Sequence, residues 1–220
     1  MKKLIILALS ITVLLGLSLG VAAQDQYEAI KVDEELAVGT EWPVEDENVI
    51  ELDKDENDEA TGKVWLFWDD ENIYAQFDVH TEYPLSNAQT GNDIWNGDAI
   101  ELSLALDPLP DDDEVAKWII AKTDKAGYQI VTRKPTTEIK RCEGVDVEML
   151  ETDFGFRAQI IFAQDHDIMS TFNVSDNPEQ LIGFQVGLSE DKDERTNMLY
   201  DVQADGVNEA HRFTELHFVE

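Results

Sequence analysis

Cysteine is almost missing from this 220-residue chain: Cys142 stands alone. An intramolecular disulfide is thereby excluded, and so are zinc and redox sites built from paired cysteines. A catalytic thiol would need a histidine partner, which no local pattern supplies, so Cys142 is expected to be a small buried apolar residue. Basic residues are scarce as well, 16 against 48 acidic, for a net charge of −32. A surface of that sign repels nucleic acid and anionic membranes, which removes both from the partners to consider. The acids are spread along the whole chain rather than massed at one site. That is the pattern of a halophilic surface, on which counterions screen self-repulsion. Long helical periodicity is absent too: after residue 23 no stretch keeps a 3.6-residue apolar period over three turns. No repeat of 20–50 residues is visible either.

A single long apolar run is present, at the start. Lys2-Lys3 precede Leu4 to Leu19, and Val21-Ala22-Ala23 fits a small-residue cleavage pattern, so residues 1–23 read as a secretory signal peptide. The run is long enough to serve instead as an uncleaved anchor. Without it, 14 basic residues face 48 acidic ones. The expected product is a secreted, extracellular protein with one domain, residues 24–220. Its share of apolar residues, 43%, with nine Phe, five Trp and five Tyr, argues against disorder.

What fills that domain is short, alternating, β-rich runs separated by acidic turns. Strands are expected at 27–32, 49–52, 64–68, 73–80, 98–106, 118–123, 127–133, 145–151, 155–162, 181–189, 198–202 and 214–219. Short helical turns are expected at 112–115 and 164–170. Inward faces are legible at Ile73/Ala75/Phe77/Val79, Phe156/Ala158/Ile160/Phe162 and Ile182/Phe184/Val186/Leu188. The fold class is therefore all-β, a jelly-roll-like sandwich of two packed antiparallel sheets.

The richest stretch is Asp93 to Leu106. Read with period two, Ile100, Leu102, Leu104 and Leu106 face the core, whereas Trp95, Gly97, Ala99, Glu101, Ser103 and Ala105 face away. An indole and a same-side carboxylate would make a stacking platform with a hydrogen-bonding arm, which suits a sugar ring. Asp98 has the core parity and is expected to satisfy turn amides or a metal. The offset of three between Asp98 and Glu101 sends them to opposite faces, so they are not a glycosidase carboxylate pair.

Several of these segments resemble one known family. They are Val32-Asp33-Glu34-Glu35 followed by Glu41-Trp42, the Val64 to Tyr74 run with its Trp68-Asp69-Asp70-Glu71-Asn72 turn, and Trp95-Asn96-Gly97-Asp98-Ala99-Ile100-Glu101. Gly155-Phe156 and Ile182-Gly183-Phe184 add to the pattern. Together they are similar to family 9 carbohydrate-binding modules and to the wider sandwich superfamily that includes the DOMON haem and sugar domains. The likeness runs from Ile30 to the C-terminus. It implies an extracellular, non-catalytic module that accompanies glycoside hydrolases, holds glucan or xylan chain ends between two aromatic walls, and carries structural calcium. Trp95 then looks like one wall and Glu101 like the hydroxyl-binding carboxylate. Apart from the resemblance, Gln159 or Gln185 on neighbouring strands is expected to add a hydrogen bond. The chain departs from the family pattern at Ile119, where an Arg is expected, and at Gly187, where a Gln is expected. The second wall should fall between Tyr200 and Phe213, where Tyr200, His211 and Phe213 are the available rings.

Calcium has no legible ligand set. Asp53-x-Asp55-x-Asn57 begins like an EF-hand loop but has Asp58 at position six and Val64 at position twelve, so the motif fails. Asp69-Asp70-Glu71 and the Asp107 to Glu114 run offer hard oxygen ligands without a pattern. For a b-type haem, Met149, Met169, Met198, His80, His166, His211 and His217 are present, but no pair is singled out by spacing. Besides sugar binding, the alternative class is a cell-surface structural or assembly module that lacks a sugar site.

Overall fold

Alternation places twelve strands, and twelve form in a computed structural model that describes residues 26–54, 60–106, 115–133, 144–189, 197–200 and 213–220. They are β1 (Gln26–Lys31), β2 (Ile50–Lys54), β3 (Thr61–Trp68), β4 (Asn72–His80), β5 (Ala99–Leu106) and β6 (Ala116–Thr123). The second half of the chain adds β7 (Gly127–Arg133), β8 (Val145–Thr152), β9 (Gly155–Ala163), β10 (Glu179–Leu188), β11 (Asn197–Tyr200) and β12 (Thr214–Val219). The helical turn expected at 164–170 is a 3-10 turn, Asp167–Phe172. Cys142, the 112–114 part of the other expected turn, and the N-terminal apolar run lie outside the described residues.

Hydrogen bonding runs unbroken through the order β7-β6-β5-β10-β11-β2-β3-β4-β9-β8. Two layers result, β7-β6-β5-β10 and β3-β4-β9-β8, joined along one side by two short strand pairs. β11 takes the second half of β10, at Gln185 to Leu188, and continues to β2. β12 takes the first half, at Glu179 to Ile182, and pairs in parallel with β1, which in turn pairs in parallel with the end of β3. The expected sandwich is therefore a near-barrel, and its ladder is mixed rather than wholly antiparallel. Alternation says which way a side chain faces but carries no information on the direction of the partner strand.

The interior is built from the inward parities legible in the sequence. Ile100, Leu102 and Leu104 meet Phe77, Phe156, Phe162, Ile182, Phe184 and Trp118 in one cluster. Trp118 leans on Phe162 at 5.2 Å between ring centroids, and Phe77 meets Phe184 edge-on at 5.7 Å. Met149 and Met169 fill this core. The outer face of the β3-β4-β9 layer is also covered. Trp42, from the segment after β1, packs edge-on against Phe67 and Tyr74 at 6.2 and 5.8 Å.

The side between β7 and β8 has no ladder among the described residues, and side chains bridge it. The Tyr128 hydroxyl accepts the Met149 N–H at 2.9 Å and donates to the Met149 carbonyl at 3.3 Å. Lys122 Nζ donates to the same carbonyl at 3.2 Å. One phenol thus stands in for the missing neighbouring strand. Tyr128→Phe should lower stability by about 1–2 kcal/mol. Amide exchange should quicken at Met149 while the centre of β4 stays protected, a contrast that hydrogen–deuterium exchange resolves.

Candidate functional site

Strand β5 was expected to bury one face only, and the structure corrects this. From Ala99 to Ala105 every residue is buried. The outward side chains lie under cover, so the polar ones must find partners there. Register sets them in a row across four strands: Tyr200 pairs with Gln185, Gln185 with Glu101, and Glu101 with Ile119. Directly paired residues share a face, so Tyr200, Gln185 and Glu101 are brought together. The next row along contains Gly183, Ser103 and Lys117.

Glu101 does not stand as a free acceptor on this face. Lys117 Nζ lies 2.5 Å from its Oε2, with the two side chains 5% and 4% exposed. Lys117 is the residue that sequence reasoning missed. Its signal was a single cation inside the apolar run Val115 to Ala121, one step from Trp118. Because Trp118 points inward, Lys117 and Ile119 must both point outward. Lys117 therefore shares the outer face with Ile119, two residues further along β6. Gln185 donates through Nε2 to Met198 Sδ, and Met198 itself pairs with Gly187.

Trp95 reaches this face by a different route from the one expected. It belongs to a 3-10 turn, Gly91–Asn96, rather than to the alternation of β5. Partly buried, it packs against the cluster formed by Ile94, Ala99, Ile119, Ala121 and Val131. The indole therefore lies outside the main core, above β5, β6 and β7. At the other end of the face Phe213 is buried at 5% exposure and packs with Ala105, Val115 and Leu181. A Cβ on Gly183 would come within 2.9 Å of its ring, so the glycine makes room for it. Tyr200 is partly buried and is separated from Ile119 by three strand spacings, about 14 Å. Trp95 and Tyr200 are partly buried rings on this face, and the buried Gln185, Glu101 and Lys117 lie between them in the ladder.

Gln159 is not part of this constellation, which corrects its expected place on a neighbouring strand. It lies on β9, beyond β4 and β3 in the ladder. There its Oε1 accepts the Gly39 N–H at 2.8 Å, and its Nε2 donates to the Thr40 carbonyl at 2.8 Å and to Gln76 Oε1 at 3.0 Å. The amide holds down the segment after β1. His211 lies outside the described residues.

Asp98, just before β5, satisfies backbone amides as expected. Its Oδ2 accepts the Ser86 N–H at 2.5 Å and its Oδ1 the Ser189 N–H at 2.6 Å. Burial pushes its carboxyl up from 3.8 to about 7, against the pull of those two donors, and Asp124 adds repulsion. Asp69, the first of the β3–β4 turn acids, is likewise committed. It accepts the Glu71 and Asn72 N–H groups at 2.8 and 2.7 Å and the Tyr74 hydroxyl. Among the described residues no three His, Cys, Asp or Glu side chains gather to hold a metal ion. Residues 55–59 and 107–114 lie outside the described set.

No family profile matches the chain, and no curated protein does. Solved structures do share its fold. A family 9 carbohydrate-binding module from Caldicellulosiruptor kristjanssonii, in complex with glucose, superposes with a TM-score of 0.62 at 15% identity, over 89% of this chain and 96% of its own. A structure of a family 9 module from the same organism with cellotriose gives 0.62 and 15%, over 88% and 93%. A Bacteroides uniformis protein described as a candidate carbohydrate-binding protein gives 0.57 at 9% identity, over 88% and 99%.

Two outcomes are expected from the floor of this face. Lys117→Met strands a buried carboxylate and should cost about 3–5 kcal/mol, most of it recovered when Glu101→Gln is added, as read by denaturant unfolding of the full cycle. For Asp98, the raised folded-state value means its contribution to stability is full below 3.8 and is lost as pH rises through about 7. The stability advantage of the wild type over Asp98→Asn should therefore grow when pH is lowered from about 8 to about 5 at fixed high salt.

Proposed function

We propose that this chain is a carbohydrate-binding module that holds oligosaccharide without chemically altering it. The fold shared with modules crystallised with glucose and cellotriose supports the ligand class. One observation carries the assignment to a face: Trp95, partly buried, packs on the same side of the sheet as the Tyr200, Gln185, Glu101 row. Apolar ring faces stack on indole and phenol, while sugar hydroxyls need donors and acceptors close by. Tyr200 stands about 14 Å from the Ile119 that supports Trp95, which favours a ligand of several units over a single ring gripped between two walls.

Glucan- or xylan-like chains fit this reading, with partner glycoside hydrolases acting on the same polymer. Export is supported by Lys2-Lys3 and the apolar run that follows them. One observation favours a second reading, an assembly module on the cell surface: Glu101 is already committed to Lys117 under cover. In that case glycan arrays stay blank and sedimentation shows self-association. On the proposed reading, Trp95→Ala should weaken cellotriose binding by about 2 kcal/mol, roughly thirtyfold in Kd. The thermal midpoint should stay within a few degrees, and calorimetric titration and scanning together decide the matter. Unfolding of that variant, or unchanged affinity, removes Trp95 from the site.

A further inference from the structure

Residues 86–98 present Trp95 with little regular structure of their own. The 3-10 turn spans only Gly91–Asn96, and Thr90 at its start makes no side-chain cap. A short turn of this kind has weak intrinsic stability and needs partners from outside it. One side chain supplies them on both sides of Trp95 in the chain. Asn87 is fully buried, and its Nδ2 donates to the Ile94 carbonyl at 2.8 Å and to the Asp98 carbonyl at 3.0 Å. Its Oδ1 accepts the Gln89 N–H at 3.0 Å, and its own carbonyl accepts the Asp124 N–H at 2.9 Å from the β6–β7 turn. The carbonyls it holds flank Trp95, so that segment is pinned on both sides by one amide.

The fit around Asn87 is close. A Cβ on Gly97 would fall 2.6–2.9 Å from all three atoms of the Asn87 amide group, so only glycine lets the amide sit there. From outside, Gly91 N–H donates to Gln129 Oε1 at 3.0 Å, tying the turn to β7. Asp98 clips Ser86 at the other end, as described above.

We propose that Asn87 is the positioning residue of the Trp95 platform, holding the indole at the height and angle from which it meets ligand. The role rests on reading Trp95 as the sugar platform, but the geometric part stands apart from it. The chemistry explains the residue type. Two donors aimed at carbonyls and one acceptor aimed at an N–H are what a primary amide offers, and a carboxylate at the same place loses both donors.

The test uses full-length protein carrying 5-fluorotryptophan, whose five indoles give separate fluorine resonances, with that of Trp95 identified by its loss in Trp95→Phe. In Asn87→Ala the Trp95 resonance should shift or broaden while those of Trp42, Trp65, Trp68 and Trp118 stay in place. Cellotriose affinity should fall at least tenfold. Gly97→Ala keeps the amide but displaces it, so it should move the same resonance, and it decides the question if Asn87→Ala disturbs all five signals. A Trp95 resonance that stays put in the folded variants overturns the proposal. If wild-type protein fails to bind cellotriose, the sugar reading fails, while the resonance still decides whether Asn87 positions the indole.

Discussion

Cover on both sides of the sheet is the constraint from which the rest follows. A strand with one wet face can carry any polar residue outward, but β5 and β10 are buried on both faces. Each polar group that alternation sends outward there needs a partner within reach. Glu101 has Lys117 and Gln185 has Met198; elsewhere, Gln159 on β9 holds the segment after β1, and Asp98, just before β5, accepts two backbone amides. On the other layer Arg157 meets Asp78 through two bonds, at 2.6 and 2.7 Å. Among the described residues the remaining acids lie mostly in turns and at strand ends, apart from these buried pairs.

How much of this was legible beforehand depends on the kind of information. The strands were legible because a period of two over five to ten residues is strongly imposed by a core, as at Ile73 to Val79 and Ile182 to Leu188. The parallel pairings of β1 were not, because nothing in Gln26–Lys31 records the direction of its neighbours. Gln159 was assigned to the wrong neighbourhood for the same reason: alternation placed it outward but could not say that β9 sits beyond β4.

Trp95 lies outside the main core, but not through the alternation of β5. Alternation was extended through Asn96-Gly97 into residues that form a 3-10 turn, and the indole reaches the outer face from that turn. Lys117 was overlooked because a cation between Ala116 and Trp118 looks like noise in an apolar run. Only the inward setting of Trp118 turns it into a meaningful signal. Polar residues beside an inward aromatic therefore merit as much weight as the aromatic itself.

The side-by-side strands β1 and β12 have a mechanical consequence. They run in the same direction over five register pairs, from Gln26 beside Glu215 to Ile30 beside Val219. Tension applied between residue 26 and residue 220 therefore pulls the two strands lengthwise past each other. Their hydrogen bonds bear such a load together, in shear, instead of opening one at a time like a zip. A domain loaded through these two ends would hold its shape until the whole pair slipped at once.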